Sequence, residues 1–216
     1  MIIYCVSCGR LHSSCLDITN AIWTFVNWGR PFRLLSSLLN SDPEFVPRQI
    51  ECGWTFSSVL TKSGDVFVWW PFADRMLEII EAKDQEMNQQ GDKKAIATKE
   101  NVIPCVTWDL DLEPTRLPPL PPLPDLLHTG REKSTEVTQL IQIAAFDNHI
   151  VGLTNHGHVL KYGSLHDETG VIHGRWDYVC HWYLIIIPWL SYLASLIQRS
   201  REDSRTLCLL RQATRN

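Results

Sequence analysis

Three stretches of this chain follow one template. Residues 8–25 (CGRLHSSCLDITNAIWTF), 52–69 (CGWTFSSVLTKSGDVFVW) and 145–162 (AFDNHIVGLTNHGHVLKY) align without a gap. Leu16, Leu60 and Leu153 coincide, as do the pairs Ile22 and Trp23, Val66 and Phe67, Val159 and Leu160. A recurring unit of this size buries its apolar face by stacking on its neighbours, so the repeat constrains the whole architecture. Within each unit a β-prone run, a polar break and a second alternating run read as a β-hairpin. Gly64 and Gly157 can take the positive φ that a tight turn demands, and Asn20 in the first unit tolerates the same region. Leu60 lies 44 residues beyond Leu16, and Leu153 lies 93 beyond Leu60. The second interval therefore holds two units or one unit with an insertion.

Composition narrows the function class. With 44% hydrophobic and 20% charged residues among 216, the chain can bury a core, which excludes wholesale disorder. Twenty basic residues against 24 acidic ones give a net charge of −4, so the electrostatic footprint of a general nucleic-acid binder is missing. Seven cysteines, an odd number, and the lack of an N-x-S/T acceptor point to a reduced setting. Met1 runs into apolar residues without the basic start of a signal peptide, so an intracellular location, cytoplasm or nucleus, is expected.

The template G-x-x-H-S, small residue, Leu, turn with Gly, aliphatic, aromatic resembles the repeat of the regulator of chromosome condensation (RCC1), a seven-bladed β-propeller. Gly9, His12, Ser13, Leu16, Ile22 and Trp23 match in the first unit, and Gly53, Ser57, Leu60, Gly64, Val66 and Phe67 in the second. The third keeps His149, Leu153, Gly157, Val159, Tyr162 and Gly163 but has Phe146 where the motif has Gly, and the second has Phe56 at the His position. The strings NWGRPFRL, VWWPF and PCVTWDLD look most like fungal F-box proteins carrying these repeats, of the SCF-associated factor type. The resemblance implies an all-β fold, a partial, open propeller of low stability. It implies a protein-interaction module and no enzyme: the substrate-recognition propeller of an F-box ubiquitin ligase subunit. Its partner would be a ligase substrate, and the F-box that docks the adaptor is expected to be missing from this chain. The alternatives are a guanine-nucleotide exchange factor for a Ran-like GTPase and a tail-anchored membrane protein. No cofactor is implied.

The expected organisation is two repeats in residues 1–70, an insertion in 71–139, a third repeat in 140–178 and an atypical apolar segment with a basic tail in 179–216. In the insertion, Met76, Leu77, Ile80 and Met87 recur at helical spacing over residues 73–90, and residues 102–108 read as a strand. The run RLPPLPPLP at 116–124 sets Leu117, Leu120 and Leu123 along one edge of a polyproline II helix. Arg116, Pro119 and Pro122 also have the spacing of an SH3-domain ligand.

Candidate chemistry is sparse. Cys5, Cys8, His12 and Cys15 have a zinc-knuckle-like spacing, but three of them occupy repeat positions and a strand sends neighbours to opposite faces, so no metal site is expected. His156 and His158 flank Gly157 on a turn, where solvated polar residues are ordinary. No Walker loop, nucleophile elbow or paired-carboxylate motif occurs. Trp23 and Trp69 are expected in the core, and Arg30 and Trp54, placed in loops, are the candidate partner-binding residues.

The resemblance stops near Tyr178. Residues 179–197 (VCHWYLIIIPWLSYLASLI) contain one ionisable side chain, His181, and precede Arg199 and Arg201, which suits a marginal transmembrane helix. Val179-Cys180 is also compatible with GTATGT, a common intron start, so a retained intron is the competing expectation. Sequencing the spliced transcript separates the two: a message that continues in frame through Val179 as written removes the intron reading.

Overall fold

Strand pairing repeats with the sequence. In the computed structural model, which describes residues 2–27, 29–41, 43–91, 105–122, 137–167 and 169–179, three antiparallel motifs share one register. The first contains β1 (Ile3–Cys8), β2 (Ser13–Asp17), β3 (Ile22–Phe25) and β4 (Phe32–Leu35). The second contains β5 (Pro47–Cys52), β6 (Ser57–Thr61), β7 (Val66–Trp69) and β9 (Thr115–Arg116). The third contains β10 (Leu140–Ala145), β11 (Ile150–Thr154), β12 (Val159–Tyr162) and β13 (Trp176–Tyr178). Leu16 pairs with Ile22, Leu60 with Val66 and Leu153 with Val159. Even the irregularity recurs, because the first strand of each sheet shifts register at Ile3/Cys5, Pro47/Gln49 and Leu140/Gln142.

The turns between second and third strands explain why the units can share this register. Asp17, Thr61 and Thr154, each directly after the aligned leucine, donate a backbone N–H to Ala21, Asp65 and His158 and accept one at the carbonyl from Asn20, Gly64 and Gly157. The three residues that donate to those carbonyls, Asn20, Gly64 and Gly157, have φ of 64°, 90° and 81°. This is the left-handed region in which Gly and Asn are least penalised. The side chains of Asp17, Thr61 and Thr154 then accept the backbone N–H of Ala21, Asp65 and His158.

Identical register gives each sheet the same two faces. Leu16, Ile22 and Leu34 of the first sheet meet Ile50, Val59, Phe67 and Trp69 of the second in one cluster. On the opposite face of the second sheet, Leu60, Val66 and Val68 meet Ile143, Ile150, Leu160 and Tyr162 of the third. The sheets are successive blades of an open β-propeller, an all-β arrangement with few helices among the described residues. Hydrogen bonds cross these interfaces where buried polar groups meet: Ser14 Oγ lies 2.9 Å from Ser57 Oγ, Cys52 N–H donates to Ser7 Oγ at 2.9 Å, and the Gln49 amide exchanges two bonds with the Ile143 backbone.

The insertion belongs to the blades. It leaves after β7 and returns as β9 on the edge of that strand, with Phe67 opposite Arg116. Among the described residues the 93-residue interval is therefore one unit with an insertion, and no further sheet lies within it. Helix α2 (Asp74–Gln89) covers the span expected of it and buries Met76, Ile80 and Met87. Its Met76 and Ile80 pack with Phe32 and Leu110. Of the strand expected over 102–108, residues 102–104 lie outside the described residues and 105–107 are not strand; β8 runs Trp108–Asp111 and pairs parallel with β4, Phe32 opposite Trp108. Leu110 supplies the buried position of its alternation. Two short helices, α1 (Ser37–Ser41) after β4 and α3 (Thr169–His173) before β13, lie in the connections.

The chain divides into two compact units, Met1–Tyr178 and Val179–Asn216. Apart from Val179, the second unit, and with it the apolar segment and the transmembrane and intron expectations, lies outside the described residues. Among the described residues no helix is long and apolar enough to cross a membrane.

Leu16 and Leu60 are fully buried, whereas Leu153, in the same register position, is half-buried because no described sheet covers its face. Leu60→Ala should therefore cost about 2–5 kcal/mol and Leu153→Ala roughly 1 kcal/mol or less, read from urea denaturation midpoints.

Candidate interaction surface

The loops joining first and second strands stand side by side. They are residues 9–12, 53–56 and 146–149, and in each the first residue donates its N–H to the carbonyl of the fourth: Gly9 to His12, Gly53 to Phe56, Phe146 to His149. The second residues then link the blades. Arg10 N–H donates to the Trp54 carbonyl and Trp54 N–H to the Asp147 carbonyl, both at 3.2 Å. This approach explains the glycines. A Cβ on Gly9 would sit 2.5 Å from the Gly53 carbonyl oxygen, and one on Gly53 would sit 2.6 Å from that of Phe146.

The result is a rigid rim with exposed side chains. Arg10 places its guanidinium 5.1 Å from the Trp54 ring centroid, and Trp54 is 49% exposed. Leu11, Phe146 and Asp147 are also exposed. Phe146 stacks on His149 at 4.8 Å with the rings 7° apart. Thr55 Oγ1 donates to the His166 carbonyl, and Asn148 Nδ2 lies 2.9 Å from His166 Nε2, tying the rim to the loop after β12. Exposed Trp on a rim whose backbone is fixed is the arrangement in which large contact area is gained at small entropic cost.

His12 holds this rim from behind. It is buried, its Nε2 donates to the Phe56 carbonyl at 3.2 Å, and its ring lies edge-on to Phe72. Burial pushes its pKa below the ordinary histidine value. Phe56, at the position of His12 in the second blade, fills the same place with an apolar ring.

Trp54 thus lies on the surface. Arg30 does not, and the expectation of a surface arginine is corrected: its side chain is 2% exposed. Its guanidinium forms an ion pair with Asp84, donates to the Asp84 carbonyl and reaches Asn88 Oδ1 at 2.9 Å. A loop arginine gained two partners on α2, 54 and 58 residues away, and became the clamp of that helix. Trp23 is corrected in the other direction. It is half-buried on the outer face of the first blade, donates to Asp17 Oδ2 at 2.8 Å and has Arg33 over its ring. Trp69 is in the core.

The four residues of zinc-like spacing diverge. Cys5 points to the second blade, its Sγ 3.9 Å from the Ile50 carbonyl, while Cys8 and Cys15 belong to the opposite face. Cys15 is buried, which together with Asp17 pushes its thiol up to about 12. Cys8 and Cys105 line an open cavity of about 480 Å³ with His12, Phe25 and Asn27. His156 and His158 sit on the β11–β12 turn with ring centroids 6.4 Å apart. Among the described residues no three His, Cys, Asp or Glu side chains are grouped to hold a metal ion.

No protein-family model and no curated protein sequence matches the chain. Among solved structures it is similar to human WBSCR16, at 18% identity over 74% of this chain and 34% of that one, with a TM-score of 0.41. Prp20p from Saccharomyces cerevisiae, described with its binding to Gsp1p and histones, is similar at 13% identity over 82% and 37%, with a TM-score of 0.44. The complex of Kap60 with yeast RCC1 (Prp20) gives 16% identity over 75% and 32%, with a TM-score of 0.40. The chain spans about a third of the length of these proteins. The blade assignment itself rests on the strand register of this chain.

His12 and, through burial and then Lys161, His149 are both held below the ordinary histidine pKa. The unfolded chain then takes up protons before the folded one, so stability is full above about pH 6.5 and falls as the pH drops below it. Thermal melts between pH 7.5 and 5 should show this loss, with a shallower slope for His12→Gln.

Proposed function

We propose that the chain is a protein-interaction module of the RCC1 repeat type, in which blades serve as a scaffold and the loop rim makes the contact. The observation that carries this reading is the linked rim, where Arg10, Trp54 and Asp147 occupy one position in three blades and Arg10 and Trp54 stack. The rim has a cation, an exposed aromatic surface and a carboxylate along one fixed line, which suits a folded protein or an extended peptide better than a small molecule. The more specific reading is the substrate-recognition propeller of an F-box ubiquitin ligase subunit, with an intracellular setting in cytoplasm or nucleus. It is supported by the strings NWGRPFRL, VWWPF and PCVTWDLD. In that role the chain holds a target protein, an F-box elsewhere tethers it to the ligase, and no covalent intermediate forms on the blades.

The test uses the full-length gene product purified from its host. Co-purification with the ligase adaptor, together with a substrate whose capture falls at least tenfold in Trp54→Ala and Arg10→Ala, is the expected result. Both side chains are exposed, so the variants should keep the wild-type melting temperature. Stimulated nucleotide release from a Ran-like GTPase without adaptor binding would replace this reading with the exchange-factor one.

A further inference from the structure

The proline run is bound to the blades through its leucine edge and through two backbone carbonyls. Beyond β9, Leu117 N–H donates to the Val66 carbonyl, continuing the sheet by one bond. Leu117 is then buried and Leu120 packs against the same cluster. Two aromatic donors from β13 hold the backbone: Trp176 Nε1 donates to the Pro118 carbonyl at 3.0 Å and Tyr178 OH to the Pro121 carbonyl at 3.1 Å. Side-chain burial and backbone anchoring therefore both recur every third residue, which is the period of a polyproline II helix. No cis peptide bond interrupts it among the described residues.

A threefold helix has three edges, and the leucine edge is spent on the core. The edge carrying Arg116, Pro119 and Pro122 faces solvent, and on the remaining edge Pro118 is exposed and Pro121 half-buried. Arg116 is fixed at the head of the run by Asp65 Oδ1 at 2.7 Å and by Phe45, whose ring centroid lies 5.1 Å from the guanidinium carbon. Its side chain is 52% exposed, so the pair with Asp65 is a solvent-screened one that another carboxylate can replace at little cost.

We propose that residues 116–122 are a preformed ligand for an SH3-type domain, displayed in the bound conformation on the edge of the second blade. Domains of this class read a polyproline II helix through aromatic-lined grooves. The exposed residues here are two prolines three apart with a cation three residues before them, which fits such a groove when it carries an acidic group at one end. The blades supply what an isolated proline-rich peptide lacks, because strap and direction are fixed before the partner arrives and less order has to be created on binding. This contact is separate from the loop rim and does not depend on the function proposed for it.

The probe is an isolated SH3 domain that selects basic-x-x-Pro-x-x-Pro peptides. It is titrated by calorimetry into the 216-residue chain and into a synthetic peptide of residues 114–124. The chain should bind at least as tightly as the peptide and with a smaller entropic penalty. Arg116→Ala and Pro119→Ala should each weaken binding at least tenfold with the near-ultraviolet circular dichroism unchanged. Tyr178→Phe, which releases the Pro121 carbonyl, should move the affinity of the chain towards that of the peptide. Binding by the peptide but not by the chain would show the strap to be occluded and overturn the proposal. So would binding by neither, or binding indifferent to Arg116 and Pro119.

Discussion

Everything in this structure depends on how closely one sheet can approach the next. Sheet faces pack against each other through apolar side chains, but the distance is set at the loop rim, where backbone meets backbone. Gly9 and Gly53 leave room for the carbonyl of the following blade, and the bonds from Arg10 to Trp54 and from Trp54 to Asp147 lock the approach. With that separation fixed, Leu16 and Leu60 fall into equivalent surroundings and the same register serves three times. A Cβ at either glycine would have to move a neighbouring backbone, which is far costlier than moving a side chain. Phe146 stands at the corresponding position of the third blade. A sheet approaching that blade in the same manner would meet its side chain.

The long insertion is accommodated because it solves an edge problem. β7 without a partner would expose a row of unpaired backbone groups, and such edges invite aggregation. β9 covers part of it, Leu117 extends the pairing, and the proline run ends it, since proline has no N–H to offer a further strand. The first blade is treated differently: β8 lies parallel on β4, and α2 covers the apolar side of that pair through Met76 and Ile80. The Arg30 clamp fixes α2 at its far end, where Asp84 and Asn88 lie one turn apart on the helix. Loop-closure entropy rises slowly with length, so an insertion of this size costs little once both ends are held.

Much of the architecture is legible in the sequence because it rests on local rules. Period-two alternation assigns Cys5 and Cys8 to opposite faces, positive-φ turns call for Asn20, Gly64 and Gly157, and helical spacing marks Met76, Ile80 and Met87. The third-residue rhythm of Leu117 and Leu120 marks their buried edge in the same way. The Asp17, Thr61 and Thr154 turn anchors were also within reach, since each follows its aligned leucine, but a hydroxyl or carboxylate beside a turn has many ordinary readings. The surface status of Trp54 follows from its loop, although its stacking with Arg10 does not, because the two residues come from different blades.

By itself, the amino-acid sequence determined the repeated hairpin, its register and the faces its strands present, all of which are fixed by neighbours within a few residues. Only the tertiary structure decided which faces are covered. It buried Arg30 by bringing Asp84 to it, left Trp23 half-exposed on an outer blade, sent β8 to pair in parallel and turned Gly9 and Gly53 into points of blade-to-blade contact. These outcomes depend on groups distant along the chain, and the free energy of burying a residue belongs to whatever arrives to cover it.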